Sequence, residues 1–534
     1  MSVKKTHRPI IWTDDGLIMS TARPPLTIDM LRKQMIEPLI GTPTSLWWSV
    51  GDHEVYHYET EIGEVFGDGF KDFEPYKYHH SSSSAKSSRI TENIRHLMKV
   101  SKGPLTALIE LCREADIEFF ARFRMNSHYY KDTASPDYGR FRREHPELLI
   151  SPPGATIEEG SIGSASLNTG LNYAFPEVRK FIASMVIELF SRFDVDGVEM
   201  DFNRHPAFFK PTEAFANRHL ITDLVRYIRH RMNDVASSKG KSIKLAVRVP
   251  PTLADSKRIG LDVLEWINEG LVDIVTAGVG FIPFEMPIKE FVQAANRTEV
   301  QVYGCIEALR PTVDEKVIRA LASRFWDAGA DGIYLYNFFP LPGKWRHRVL
   351  NQIADPASLR RLDKRYELDR TDRVGGGGHS AAFRYAIPIV QLPVALHETL
   401  EESPIIIHLE ISDDLQAASR ENILDKCVLA LKLDHFKPDD TLLVTINGET
   451  IPWATGRVSF DGWNQTQLEP GAFEAFPAKT VDVPQPDTSI EFNVNSPPLK
   501  QGINELELRL TNPRKEQVED IVLNGADVTI YYIQ

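Results

Sequence analysis

The stretch Asp196-Gly197-Val198-Glu199-Met200-Asp201-Phe202-Asn203-Arg204 has residue types and spacing suited to chemistry. Read as a strand, it alternates its side chains between two faces. Glu199, Asp201 and Asn203 share one face; Val198, Met200 and Phe202 share the other. The apolar face suits packing against helices, so the acidic face must point inward. Two carboxylates in adjacent buried layers repel and lose solvation, a cost that function or cationic partners must offset. A further carboxylate, Glu307, ends the apolar run Val300 to Ile306. Glycoside hydrolysis needs two such groups: one protonates the leaving oxygen, and the other attacks or activates water. Asp201 and Glu307 are the expected catalytic pair, with Glu199 in support. The bland alternative is an ion-pair network with neighbouring arginines.

These residues need a frame. From residue 8 to 355, short apolar runs alternate with amphipathic helical patterns. The strand candidates are Pro9–Trp12, Ser45–Val50, Ile117–Met125, Gly197–Phe202, Ile243–Val249, Ile274–Val279, Val300–Ile306 and Gly332–Phe338. Between them, Val178, Phe181, Ile182, Met185, Val186, Leu189, Phe190 and Phe193 form a stripe at helical spacing. Thr312 and Glu315 open another helix as a capping box, and Trp345 to Ala354 reads as the last. Strands joined by helical crossovers imply a parallel sheet, and eight such units fit a closed (β/α)₈ barrel over residues 1–359.

A charged stretch and Gly375-Gly376-Gly377-Gly378 mark an expected linker, residues 360–379. Residues 380–534 read as strands: Ile387–Leu396, Ile405–Ile411, Cys427–Leu433, Thr441–Ile446, Ile490–Val494, Ile503–Leu510 and Val528–Ile533. Asn447-Gly448 is a hairpin turn signal. An antiparallel, jelly-roll-like β-sandwich is expected there. Ser81-Ser82-Ser83-Ser84 reads as a surface loop.

Barrels of this class place their sites at the C-terminal ends of the strands. Arg122, Arg124, Arg204, Arg248 and Arg310 recur there, against a net charge of −13 for the whole chain. Guanidinium groups suit sulfate or carboxylate, so an anionic saccharide is the expected substrate. Arg124, Asn126, His128, Tyr173, Asn203, Arg204, Arg248 and Tyr336 are the candidates for substrate contact. Loops after the second and third strands carry His53, Tyr56, His57, Tyr58, Phe66, Tyr129, Tyr130 and Tyr138. Such aromatics either stack on sugar rings or pack the loops down.

The segment Leu171-Asn172-Tyr173-Ala174-Phe175-Pro176-Glu177-Val178-Arg179, with the acidic strand after it, resembles the glycosyl-hydrolase-like family 10 barrel proteins. The resemblance implies a barrel acting on polysaccharide and maps the family's strand-end acid to Asp201. Asn203 stands where chitinase-like barrels carry their catalytic glutamate, and an asparagine cannot act as a general acid. In barrels of this kind the two carboxylates sit close together. That implies net retention, with Glu307 as nucleophile and Asp201 as acid/base, although the sequence leaves the reverse open.

Other readings are a polysaccharide lyase, with Tyr336, Tyr173 or His205 as base, and a non-catalytic carbohydrate-binding barrel. The acidic balance argues against nucleic-acid or membrane-surface partners. No GxGxxG after a strand, GxxxxGK[ST] or HExxH occurs, so no cofactor or metal is expected. Cys112, Cys305 and Cys427 have neither metal-like nor disulfide-like spacing and read as buried hydrophobes. Ile10, Ile11 and Trp12 are too few for a leader core before Asp14 and Asp15. The expected location is cytoplasmic, or exported with a leader removed.

Overall fold

The computed structural model describes residues 8–68, 81–126, 138–151, 170–204, 206–278, 286–307, 315–338, 343–368, 391–396, 404–460, 487–511 and 519–533. Eight parallel strands close into a barrel. They are β1 (Ile10–Asp14), β2 (Thr44–Ser49), β3 (Phe119–Arg124), β4 (Gly197–Asp201), β5 (Lys244–Val249), β6 (Ile274–Ala277), β7 (Gln301–Glu307) and β8 (Gly332–Tyr336). Each pairs with its sequence neighbour, and β1 pairs with β8 to close the ring. Each expected barrel strand is present, with ends shifted by a few residues.

The crossover helices follow from local sequence. Pro176 opens the helix Pro176–Arg192 at a position where its missing N–H costs nothing, with Glu177 in the first turn and Arg192 in the last. Its Val178, Ile182, Val186 and Leu189 are buried. Helix Glu315–Asp327 closes tightly on β7. A side chain at Gly304 would collide with the Phe325 ring, so residue 304 faces the helix, and its neighbours Tyr303 and Cys305 face the interior. Ser81–Ser84 is helical, as the first turn of Ser81–Ser101, and not a loop.

The C-terminal part contains two antiparallel sheets. One orders Lys364–Glu367, Ile521–Tyr532, Leu424–Asp434, Thr488–Val494 and Gly456–Ser459, with Val394–Leu396 also paired to Ile521–Tyr532. The other orders Ile405–Ile411, Gly502–Leu510, Leu442–Ile446 and Glu449–Ile451. Each sheet buries one face: Leu429, Leu431, Phe492 and Val528 in the first, Ile407, Leu409, Val444 and Leu508 in the second. This is the expected β-sandwich. Within the stretch read as a linker, Lys364–Glu367 is instead an edge strand of the first sheet. The charges that suggested a linker are used structurally: Lys364 is buried against Asp413, and Arg365 pairs with Glu367. Gly375–Gly378 and Thr312 lie outside the described residues. All three cysteines are free and buried. Among the described residues, no helix is long and apolar enough to cross a membrane.

Candidate active site

Alternation along β3, β4 and β5 turns Arg122, Arg124, Glu199, Asp201 and Arg248 towards the barrel interior, where Arg122 pairs with Glu199 and Asp201, and Arg248 with Asp201. Parallel register places Arg122 beside Glu199, and Arg248 beside Asp201. Arg248 donates from Nε to Asp201 Oδ1 at 2.9 Å and from Nη2 to Oδ2 at 2.9 Å. Arg122 Nη2 adds a bond to Oδ2 at 3.0 Å, and the Asn203 N–H adds one to Oδ1 at 3.0 Å. Asp201 is buried and accepts four hydrogen bonds. Burial opposes its charge, but Arg248 and Arg122 overcome that and hold the carboxyl below its ordinary range.

One step deeper, Glu199 Oε2 accepts from the Tyr334 hydroxyl at 3.0 Å and forms an ion pair with Arg122 Nε at 2.9 Å. Burial, reinforced by the Asp201 charge, outweighs the pull of Arg122 and raises the Glu199 carboxyl to about 7. Two carboxylates on one strand, two residues apart, are thus driven in opposite directions by their surroundings. Arg122 links them and also donates from Nη1 to Asp15 Oδ1 at 2.7 Å. Arg124 reaches Asp15 Oδ2 at 2.9 Å and Asp52 Oδ1 at 3.3 Å.

Glu307 ends β7 and is buried. Asn337, just past β8, donates from Nδ2 to its two oxygens at 2.9 and 3.0 Å. Glu307, Glu199, Arg248 and Arg122 all act electrostatically on the buried Cys305 thiol, which places the four charges around one inward position of β7. The Tyr336 ring lies under Arg248, 4.3 Å from guanidinium carbon to ring centroid, and under Arg122 at 4.9 Å. Its hydroxyl, Arg248 Nη1, Thr276 Oγ1, Asn203 Oδ1 and Glu199 Oε1 are buried without a hydrogen-bond partner among the described residues. Polar atoms left in this condition need a ligand or water.

The other candidates separate into groups. Asn203 donates to the carbonyls of Val249 and Gly278, which leaves its oxygen open. Arg204 is half-buried and its charge acts on Asp15. Asn126 is committed to backbone: Nδ2 donates to Leu171 O at 3.0 Å and Ala207 O at 2.8 Å, and Oδ1 accepts from Leu171 N at 3.0 Å. Tyr173 is a core residue whose hydroxyl donates to the Met125 carbonyl, and its ring meets Phe208 edge-on. Both brace the ends of β3 and β4. Tyr56 and Tyr58 pack the loop after β2 onto the helix Pro176–Arg192, with Tyr58 donating to Glu188. His128, Tyr129, Tyr130, His205 and Arg310 lie outside the described residues.

Sequence reasoning missed Asp15, Asp52 and Asn337. A first strand ending at Trp12 leaves out the acids that follow it, and Asp52 lies in the segment after the second strand. Those acids matter to the charge balance: Asp15 and Asp52 match arginines that had looked surplus. Asn337 was read as a strand residue, although asparagine after a strand is a common left-handed turn. Among the described residues, no cluster of His, Cys, Asp and Glu could hold a metal ion.

Residues 77–304 match the glycosyl hydrolase-like 10 family. The match bears out the resemblance and supports a glycoside hydrolase. It contains Glu199 and Asp201 and stops just short of Glu307. Among curated proteins, none matches the chain. Solved structures similar to it include an endo-beta-1,4-mannanase from Thermotoga petrophila, at 11% identity and TM-score 0.42, over 81% of this chain and 88% of that one. An alpha-L-fucosidase isoenzyme 2 from Paenibacillus thiaminolyticus has 10% identity and TM-score 0.40, over 65% and 49%. A glycoside hydrolase family 18 N-acetylglucosaminidase from Paenibacillus barengoltzii has 11% identity and TM-score 0.36, over 64% and 99%.

Proposed function

We propose that the chain is a glycoside hydrolase that cleaves a polysaccharide or oligosaccharide with net retention, using Asp201 and Glu307. The observation that carries this reading is the clamp of Arg122 and Arg248 on Asp201. A carboxyl held below its ordinary range is a poor proton donor and a good ionised partner for a developing oxocarbenium ion. The roles are therefore the reverse of those expected from the resemblance. Asp201 is the nucleophile, and Glu307 is the acid/base. Glu199, deeper and fully buried, supports the network. The test is incubation with a panel of neutral, uronic and sulfated glycans, with proton NMR of the first-formed anomer. Hydrolysis with inversion refutes the nucleophile; no hydrolysis of any glycan refutes the activity.

The anionic-substrate reading rests on Arg248, whose Nη1 has no hydrogen-bond partner among the described residues and offers a charged donor. Binding of the preferred glycan should weaken as salt rises. Equal turnover of a neutral glycan and its sulfated or uronic counterpart would remove this part of the reading. The Tyr336 hydroxyl, buried and without a hydrogen-bond partner among the described residues, favours one second reading, a lyase with Tyr336 as base. Unsaturated products absorbing in the ultraviolet would distinguish it.

A further inference from the structure

Asn337 has φ 62°, in the left-handed region that side-chain-bearing residues seldom occupy, and it is buried. It follows Tyr336, the register partner of Glu307 across β7 and β8. Had the chain stayed extended, residue 337 would face away from the interior, opposite to Tyr336. The left-handed turn breaks that alternation, and the amide meets both oxygens of Glu307. A turn needing only positive φ is served best by glycine. The sequence places there instead a residue that tolerates the conformation and carries a donor.

We propose that Asn337 is a positioning residue that fixes the Glu307 carboxylate for reaction, and that its left-handed backbone is kept for that purpose. The inference rests on the assignment of Glu307 as a reacting group. Without the amide, the carboxyl loses two hydrogen bonds that restrain its terminal torsion, which is intrinsically broad. Misplacement by about 1 Å is enough to lower turnover on the order of 10²-fold.

Two variants separate this role from a purely structural one. Asn337→Gly suits the backbone but takes two hydrogen bonds from a buried carboxyl, so its Tm should fall modestly while kcat/KM falls on the order of 10²-fold. Asn337→Asp keeps the shape and the tolerance for positive φ but sets a carboxylate against Glu307. It should lose more activity than the glycine variant and move the alkaline limb of the pH profile, which reports the proton on Glu307, to higher pH, because like charges disfavour ionisation. If residue 337 serves only the turn, Asn337→Gly will match the wild type in kcat/KM and pH profile, and that result overturns the proposal. So does wild-type activity in Asn337→Asp. A readout independent of turnover is the crystal structure of each protein. Glu307 should hold one rotamer in the wild type and more than one in Asn337→Gly; the same single rotamer in both would overturn the proposal. Absence of any wild-type hydrolysis would sink the glycosidase reading, while the rotamers would still decide the role of Asn337.

Discussion

Arg248 stands directly across from Asp201 in the register of β4 and β5 and closes on it with two parallel hydrogen bonds of 2.9 Å. The relationship follows from the sequence: each residue occupies an inward position of its strand, and parallel pairing sets the two side by side. Both are fully buried, so neither charge can fall back on water. The pair fixes the ionisation of Asp201 and makes it a structural element as well as a candidate reacting group.

This dual role predicts different outcomes at the two proposed catalytic positions. Asp201→Asn should abolish turnover, by on the order of 10³ or more. It should also destabilise the protein by about 3–5 kcal/mol, because it leaves Arg248 and Arg122 buried with less opposing charge. Glu307→Gln should lower turnover comparably with a smaller loss of Tm, since the amide oxygen still accepts from Asn337 Nδ2. Thermal unfolding beside initial rates checks both. Near-wild-type turnover in either variant rejects that residue, and an unchanged Tm in Asp201→Asn rejects the clamp as a stabilising feature.

The raised Glu199 carboxyl predicts a pH dependence of stability with a definite sign. The folded protein holds this proton up to about 7, whereas the unfolded chain releases it near the ordinary 4.5. Between those values the folded state binds more protons, so stability falls as pH rises and levels off above 7. Asp14, raised by burial to about 6, adds a decline of the same sign that ends earlier. Asp201 acts oppositely. Its depressed value contributes stability above the unfolded pKa that is lost only as pH falls through the folded one. Glu199→Gln should therefore flatten the decline between pH 4.5 and 7 in urea titrations at a series of pH values. An unaltered slope would mean that Glu199 ionises normally in the folded state.

Features carried by periodicity were legible in the sequence. The barrel strands, their order and the inward placement of Glu199 and Asp201 follow from a two-residue alternation that one segment displays by itself. The partners of a carboxylate were not legible, because they depend on which strands lie adjacent and at what register. Arg122 and Arg248 can be named as nearby from the sequence but not joined to Asp201. Asn126 and Tyr173 look like site residues by position. Only the fold shows that both also donate to backbone carbonyls. Lys364 was misread for a related reason: a charged stretch suggests solvent unless its partner, Asp413, can be seen.

That partner gives the last prediction. Lys364 is almost fully buried, and its ammonium donates to Asp413 Oδ1 at 2.8 Å and to the carbonyls of Leu359 and Leu362 at 2.6 and 3.1 Å. Tyr366 and Tyr532 donate to the same carboxylate at 2.6 and 2.7 Å. Arg324, on the barrel helix Glu315–Asp327, donates to the Glu410 carbonyl of the sandwich, so the seam is continuous. Deleting residues 380–534 removes Asp413 and the strand Ile521–Tyr532 that pairs with Lys364–Glu367. It leaves a buried-type lysine and an unpaired strand edge, which invites association. A chain of residues 1–379 should be less soluble and less stable than one of residues 1–359, which lacks that strand altogether. In the full-length protein, Asp413→Ala should lower stability by about 3–5 kcal/mol, as expected when one member of a buried pair is removed, while turnover persists. Equal solubility of the two truncations, or an Asp413→Ala protein as stable as the wild type, would show that this network does not hold the barrel and sandwich together. Loss of all turnover in a folded 1–359 chain would show instead that the sandwich contributes to the active site.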